Sequence, residues 1–172
     1  LPRRFSDFAT LGEALDYAAR GKRGLNFHDP RGNLAQAYSY AELRSDAIEC
    51  AYRLIAHGVR PHDRIALIAE TGPEFAQMFF GIVYAGAWPV PLPLPTSFGG
   101  KESYIDQLSV QLKSSDPKIL FYPSEIAEMA GAAAEIVDQR RVDRRNTVEQ
   151  LQRRPQAMIG KDRVLRRIPR AA

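Results

Sequence analysis

The run from Trp88 to Pro95, WPVPLPLP, constrains this chain more than any other feature, because prolines occupy four alternate positions, 89, 91, 93 and 95. Each proline fixes φ and removes a backbone donor, so the path is extended and cannot be a central strand. The segment is expected to leave a sheet. Phe98-Gly99-Gly100 then allows a turn through conformations closed to other residues, and Lys101-Glu102-Ser103-Tyr104 opens a helix. Such a run has the form of a shaped loop beside a ligand site, although a plain structural crossover uses the same residue types.

Upstream, the pattern is that of alternating helices and strands. Thr10-Leu11-Gly12-Glu13 is a capping box opening a helix, with Leu11, Leu15, Ala18 and Ala19 on one apolar face, expected to pack as a lid. Leu25–His28 and Gln36–Tyr40 are expected as two strands joined by a hairpin loop over Asp29–Asn33. Ser39 with Glu42 repeats the capping box, and Leu43, Ala47, Cys50, Ala51, Leu54 and Ile55 draw a buried stripe that stops at Gly58. Arg64–Ala69 holds an unbroken apolar run, which implies a strand buried on both faces. A helix starts at Pro73, apolar almost all round through Phe75, Met78, Phe79, Phe80, Ile82, Val83 and Tyr84, and so expected to be largely buried. A further helix spans about 103–115, and a second buried strand Lys118–Tyr122. The fold class is therefore α/β, with a mainly parallel sheet flanked by helices.

The net charge of +4 is unevenly spread: residues 1–137 hold 13 Lys and Arg against 16 Asp and Glu, and residues 138–172 hold 11 against 4. Four arginine pairs, at 140–141, 144–145, 153–154 and 166–167, stand among few large apolar residues. The expected organisation is a partial domain over 1–137 and a basic, poorly ordered tail over 138–172. One cysteine, Cys50, excludes an internal disulfide and fits a reducing cytoplasm. Residues 78–100 carry no formal charge, but the prolines end any helix too early to span a membrane. No signal peptide is visible, and the chain starts at Leu1 rather than methionine.

Five blocks carry a family resemblance: GLNFHDPRG at Gly24–Gly32, YSYAEL at Tyr38–Leu43, DRIALIAETGPEF at Asp63–Phe75, FFGIVYAGAWPVPLPLPTSFGGKESYIDQL at Phe79–Leu108, and LKSSDPKILFYPSE at Leu112–Glu125. In that order they resemble the fatty acyl-AMP ligases, the long-chain branch of the adenylate-forming superfamily, over about four fifths of the chain. The resemblance implies part of the N-terminal subdomain of an AMP-binding adenylation domain. It also implies an ATP- and Mg²⁺-dependent ligase of fatty acid metabolism. A fatty acid would react with ATP to give acyl-adenylate, and the acyl group would pass to an acyl carrier protein.

The superfamily's phosphate loop is a Ser/Thr/Gly-rich stretch ending near Pro-Lys, whose donors cradle the ATP phosphates. None occurs in the 172 residues. Ser114-Ser115-Asp116-Pro117-Lys118 lacks glycines and has the form of a helix end turning into a strand. The expectation is an N-terminal piece, inactive alone, with no cofactor bound to it and no catalytic or metal-binding residue assigned. It would supply a wall of the acyl site and self-associate through exposed core surface. Phe98 is the aromatic placed to touch an acyl chain, or equally to pack on its own helix.

Other chemistries find little support. His28, His57 and His62 share no metal-ligand spacing, and His57 suits a helix C-terminus. Ser97, Ser103 and Ser109 lack a glycine-flanked nucleophile setting. The arginine-rich tail departs from the family pattern, and a slipped coding frame near Val137 accounts for the abrupt loss of periodicity. A basic tail binding nucleic acid, or lying on an anionic membrane, is less favoured, since Val142, Val148, Leu151 and Met158 make a sparse apolar face. The alternative function is a non-catalytic interaction module whose basic tail binds acidic partners or nucleic acid.

Overall fold

The computed structural model describes residues 1–2, 4–5, 7–96, 99–142 and 163–167. Contacts divide the chain into two units: Leu1–His62 with Thr71–Trp88, and Asp63–Glu70 with Pro89–Ala172.

In the first unit, helix α1 (Leu11–Ala18) starts at Thr10, whose hydroxyl accepts Glu13 N–H at 3.1 Å. Strands β1 (Gly24–His28) and β2 (Leu34–Ser39) pair antiparallel. Asp29 shapes their loop: its Oδ1 accepts Arg31 N–H at 2.8 Å and Asn33 N–H at 2.9 Å, while Gly32 takes a φ of 84°. Helix α2 (Tyr40–Ala56) begins with both halves of the Ser39–Glu42 capping box and ends at His57, beyond which Gly58 turns the chain at a φ of 83°. Helix α3 (Pro73–Tyr84) carries proline at its first turn.

Helices α2 and α3 approach closely where Gly81 faces Cys50; a Cβ on Gly81 would lie 2.6 Å from Cys50 Sγ. Leu15, Tyr38 and Leu43 form one buried cluster of this unit, with Leu25, Phe27, Tyr40, Ala76, Phe80 and Tyr84 packed against it. Asp16 ties α1 to both longer helices, accepting from Tyr84 Oη at 2.8 Å and Arg44 Nε at 2.6 Å. Desolvation raises the Asp16 pKa, but the hydrogen bonds from Tyr84 and Arg44 outweigh it and hold the carboxyl below its ordinary value. Burial, then the Asp16 bond, pushes the Tyr84 phenol up.

In the second unit, β3 (Arg64–Ile68) pairs parallel with β5 (Ile119–Pro123), Ile65 opposite Ile119 and Leu67 opposite Phe121. The sheet order is β4-β3-β5-β6, with β4 (Trp88–Leu92) at one edge and β6 (Arg163–Arg167) antiparallel to β5 at the other. Ile65, Ala66, Leu67, Ile68, Ile119, Leu120 and Phe121 are all buried, as an apolar run in a two-faced strand requires. Helices α4 (Lys101–Ser115) and α5 (Ala127–Val142), the latter preceded by a 3₁₀ turn at Ser124–Ile126, pack together. Tyr104, Leu108 and Leu112 of α4 and Ala130, Ala133 and Val137 of α5 join Ala66, Ile68, Leu120 and Tyr122 in one core.

The expected α/β fold with parallel strands and flanking helices is present. Several details differ. The first prolines do not leave the sheet but lie in its edge strand, where a missing N–H costs no ladder bond. Ile55 and Leu11 are exposed, because each lies at the margin of its helix's apolar stripe. In α3 only Met78, Gly81 and Ile82 are buried, and Phe75 instead stacks on Phe79, centroids 6.1 Å apart. The sheet also holds an antiparallel pair, β5 with β6. Helix α5 (Ala127–Val142), which the sequence pattern did not announce, runs across Val137. Residues 143–162 and 168–172, on which most of the tail reading falls, lie outside the described residues.

Candidate functional site

The candidate site is the edge strand β4, the loop that follows it and the start of α4. Backbone N–H groups point alternately to the two sides of a strand, so prolines at alternate positions strip donors from one side alone. The other side keeps the N–H groups of Val90 and Leu92 for pairing. Side chains alternate likewise: Pro91 and Pro93 are exposed, while Leu92 and Leu94 are half-buried against the core beneath α4 and α5. The result is an extended segment with leucines turned inward and prolines outward.

Three features fix where this segment goes next. Tyr104, buried in the first turn of α4, donates its hydroxyl to the carbonyl of Pro93 at 3.0 Å. Burial pushes the Tyr104 phenol up to about 12, so it is protonated and a donor throughout the neutral range. Gly99 N–H bonds Thr96 O at 3.1 Å and closes a turn before α4. Lys101 Nζ lies 2.7 Å from Glu128 Oε1, an exposed pair joining the first turn of α4 to α5. Ser97 and Phe98, the latter the aromatic expected near an acyl chain, lie outside the described residues.

The Ser114–Lys118 stretch is the helix end that its composition suggested. Ser115 Oγ donates to Gln111 O at 2.7 Å, Asp116 caps α4 in the left-handed region at a φ of 43°, and β5 begins at Ile119. Lys118 is committed: its Nζ is 2.6 Å from Asp63 Oδ2, with side-chain exposures of 17% and 6%. A lysine held this way locks the start of β5 to the start of β3 and is not presented to a phosphate.

The remaining candidates are dispersed. His28 ends β1 on the surface, His57 caps α2, and His62 sits at a φ of 68° against Trp88, ring centroids 5.5 Å apart. Ser103 is exposed on α4, and Ser109 Oγ bonds Asp106 O at 2.8 Å. Among the described residues no three of His, Cys, Asp and Glu gather as a metal-holding group. No chemical step is routed through a metal ion here. Also among the described residues, no helix is long and apolar enough to cross a membrane. Sequence reasoning missed a cleft beside α1 lined by Tyr17, Arg20, Lys22, Arg23 and Tyr40. Three cations within four residues were the available signal, and they also suit the negative end of α1.

The fold is an α/β segment with a proline-bearing edge strand, and comparison with known proteins supplies the family. A fatty acyl-adenylate ligase structure, from work on those of E. coli and L. pneumophila, superposes with a TM-score of 0.74 at 39% identity, covering 78% of this chain and 24% of that one. A fatty acid AMP ligase of Legionella pneumophila gives a TM-score of 0.58 at 26% identity, covering 70% and 20%. A Caulobacter vibrioides protein provisionally named as an acyl-CoA synthetase is 44% identical over 137 residues, 76% of this chain and 24% of the relative. The family model described as AMP-binding enzyme matches residues 18–166, and the chain belongs to that family. It spans about a quarter of the length of these relatives.

Proposed function

We propose that this chain is the N-terminal part of the adenylation domain of a fatty acyl-AMP ligase. The observation that carries the reading is the 39% identity, at a TM-score of 0.74, to a fatty acyl-adenylate ligase structure. In the proposed reaction a fatty-acid carboxylate oxygen attacks the α-phosphorus of ATP. The bond to the bridging oxygen breaks, and pyrophosphate leaves. A thiol, on an acyl carrier protein in this reading, then attacks the acyl carbon and releases AMP. ATP is a substrate here, and Mg²⁺ and phosphate-cradling donors would stabilise the transferring group. The described residues supply neither, so their part is scaffold and acyl-site wall.

Since no phosphate loop occurs in the 172 residues, the chain alone is inactive in this reading, and it self-associates through surface that further subdomains would cover. The reading places the protein in the cytoplasm, a setting that the free, buried Cys50 suits. In this reading residues 1–137 belong to the adenylation domain and 138–172 form an arginine-rich, non-native tail, even though the family match runs on to residue 166 and α5 crosses the boundary. Sequencing the gene past codon 137 tests that division: a second frame running on into a Ser/Thr/Gly-rich loop supports it, and one uninterrupted frame refutes it. Fatty-acid-dependent exchange of pyrophosphate into ATP by the complete protein tests the activity.

A further inference from the structure

We infer that the cleft beside α1 is a binding site for a small phosphate-bearing anion, independent of the ligase reading above. The cleft lies within the first unit, has a volume of about 960 Å³, and is lined by Tyr17, Arg20, Lys22, Arg23 and Tyr40, with Leu1 at its wall. A space of that size takes a molecule of nucleotide dimensions. Gly21, between the cations, adds no side chain to fill it.

The three cations are surplus to the local structure. The last carbonyls of α1 already accept backbone donors: Ala19 N–H on Leu15 O at 2.8 Å, Arg20 N–H on Tyr17 O at 3.2 Å and Gly21 N–H on Ala18 O at 3.0 Å. Among the described residues, none of the three forms an ion pair. Asp16 acts on Arg20 only at longer range, its carboxylate being taken by Tyr84 and Arg44. The frame that carries them is fixed. Tyr40 N–H donates to Arg23 O at 3.0 Å, and the Tyr17 hydroxyl donates to the Pro2 carbonyl. Two arginines offer planar forks that match phosphate oxygens, and the two tyrosines offer ring faces to an organic part. The concave shape favours a small anion over the flat acidic face of a protein.

The test is calorimetric titration of the 172-residue chain with pyrophosphate and, separately, with AMP, each at low and high salt. Arg23→Gln, and Arg20→Gln combined with Lys22→Gln, should each weaken binding by about fivefold or more, and added salt should weaken it further. Lys113→Gln removes an exposed cation from α4, away from the cleft, and should change affinity by less than about twofold. Tighter binding of pyrophosphate identifies a free inorganic anion as the ligand, and tighter binding of AMP an organic phosphate laid on the tyrosines; either supports the site. Absence of binding by both anions overturns it. An equal loss in Lys113→Gln also overturns it, because attraction would then follow overall charge and not the cleft. Neither result bears on fatty-acid-dependent activity of the complete protein, which is tested separately.

Discussion

Replacing Lys118 with methionine removes the cation that faces Asp63 and leaves a carboxylate whose side chain is 6% exposed. Breaking a buried pair from one side costs about 3–5 kcal/mol, because the remaining charge stays desolvated after the cation that balanced it is removed. Lys118 keeps 17% of its side-chain exposure, so water reaches part of the site, and the lower end, about 3 kcal/mol, is expected. With a urea m-value of about 2 kcal/mol/M, the unfolding midpoint should fall by about 1.5 M at unchanged m. Arg64→Met is the internal control. Its pair with Asp116 spans 3.6 Å with both side chains 36% exposed, and such pairs contribute about 0–1 kcal/mol. The assay is equilibrium urea unfolding followed by circular dichroism. Equal midpoints for the two variants would refute the claim that the Lys118–Asp63 pair locks β3 to β5.

Three further outcomes are expected. Gly81→Ala drives a methyl against Cys50 Sγ and Cβ at the α2–α3 crossing, and should lower stability by about 1–3 kcal/mol; a neutral effect in thermal unfolding would show that the helices part freely. Cys50 is buried against Met78 with its thiol pushed up to about 11 by desolvation, so it should resist a disulfide reagent in the native chain and react in urea; prompt native labelling would contradict its placement. The folded-state pKa of Asp16 is depressed, so its contribution is complete above the ordinary value of 3.8 and lost as pH falls through the lower folded value. Asp16→Asn should therefore flatten the acid limb of stability below about pH 4, and an unchanged acid limb would remove the network's role.

Local signals were the legible part of this chain. The Ser39–Glu42 capping box, the Thr10 cap of α1 (whose Glu13 carboxylate takes Ala9 N–H instead of closing a second box), Pro73 at a helix start, Gly58 past a helix end and the buried runs at Arg64–Ile68 and Ile119–Pro123 rest on residues within a few positions of each other, where propensity and hydrogen bonding decide. Helix α5 was missed because its buried face is built from small residues. Ala130, Ala133, Ala134 and Val137 have helical spacing, yet alanines carry little apolar contrast. The edge strand β4 was obscured by its prolines, whose compatibility with strand depends on a neighbour that sequence does not specify. Lys118 and Asp63 stand 55 positions apart, and their pairing follows only from the parallel register of β3 and β5. The Tyr104–Pro93 bond was equally hidden, although the proline loop itself was the first feature to mark the site.

The most direct test of the account is pyrophosphate exchange into ATP, measured with and without a fatty acid, on the complete protein and on the 172-residue chain side by side. The account predicts fatty-acid-dependent exchange by the complete protein and none by the chain, which lacks a phosphate-cradling loop. Exchange by the chain alone would contradict the division of labour argued above. A complete protein inert toward every fatty acid would contradict the assignment itself.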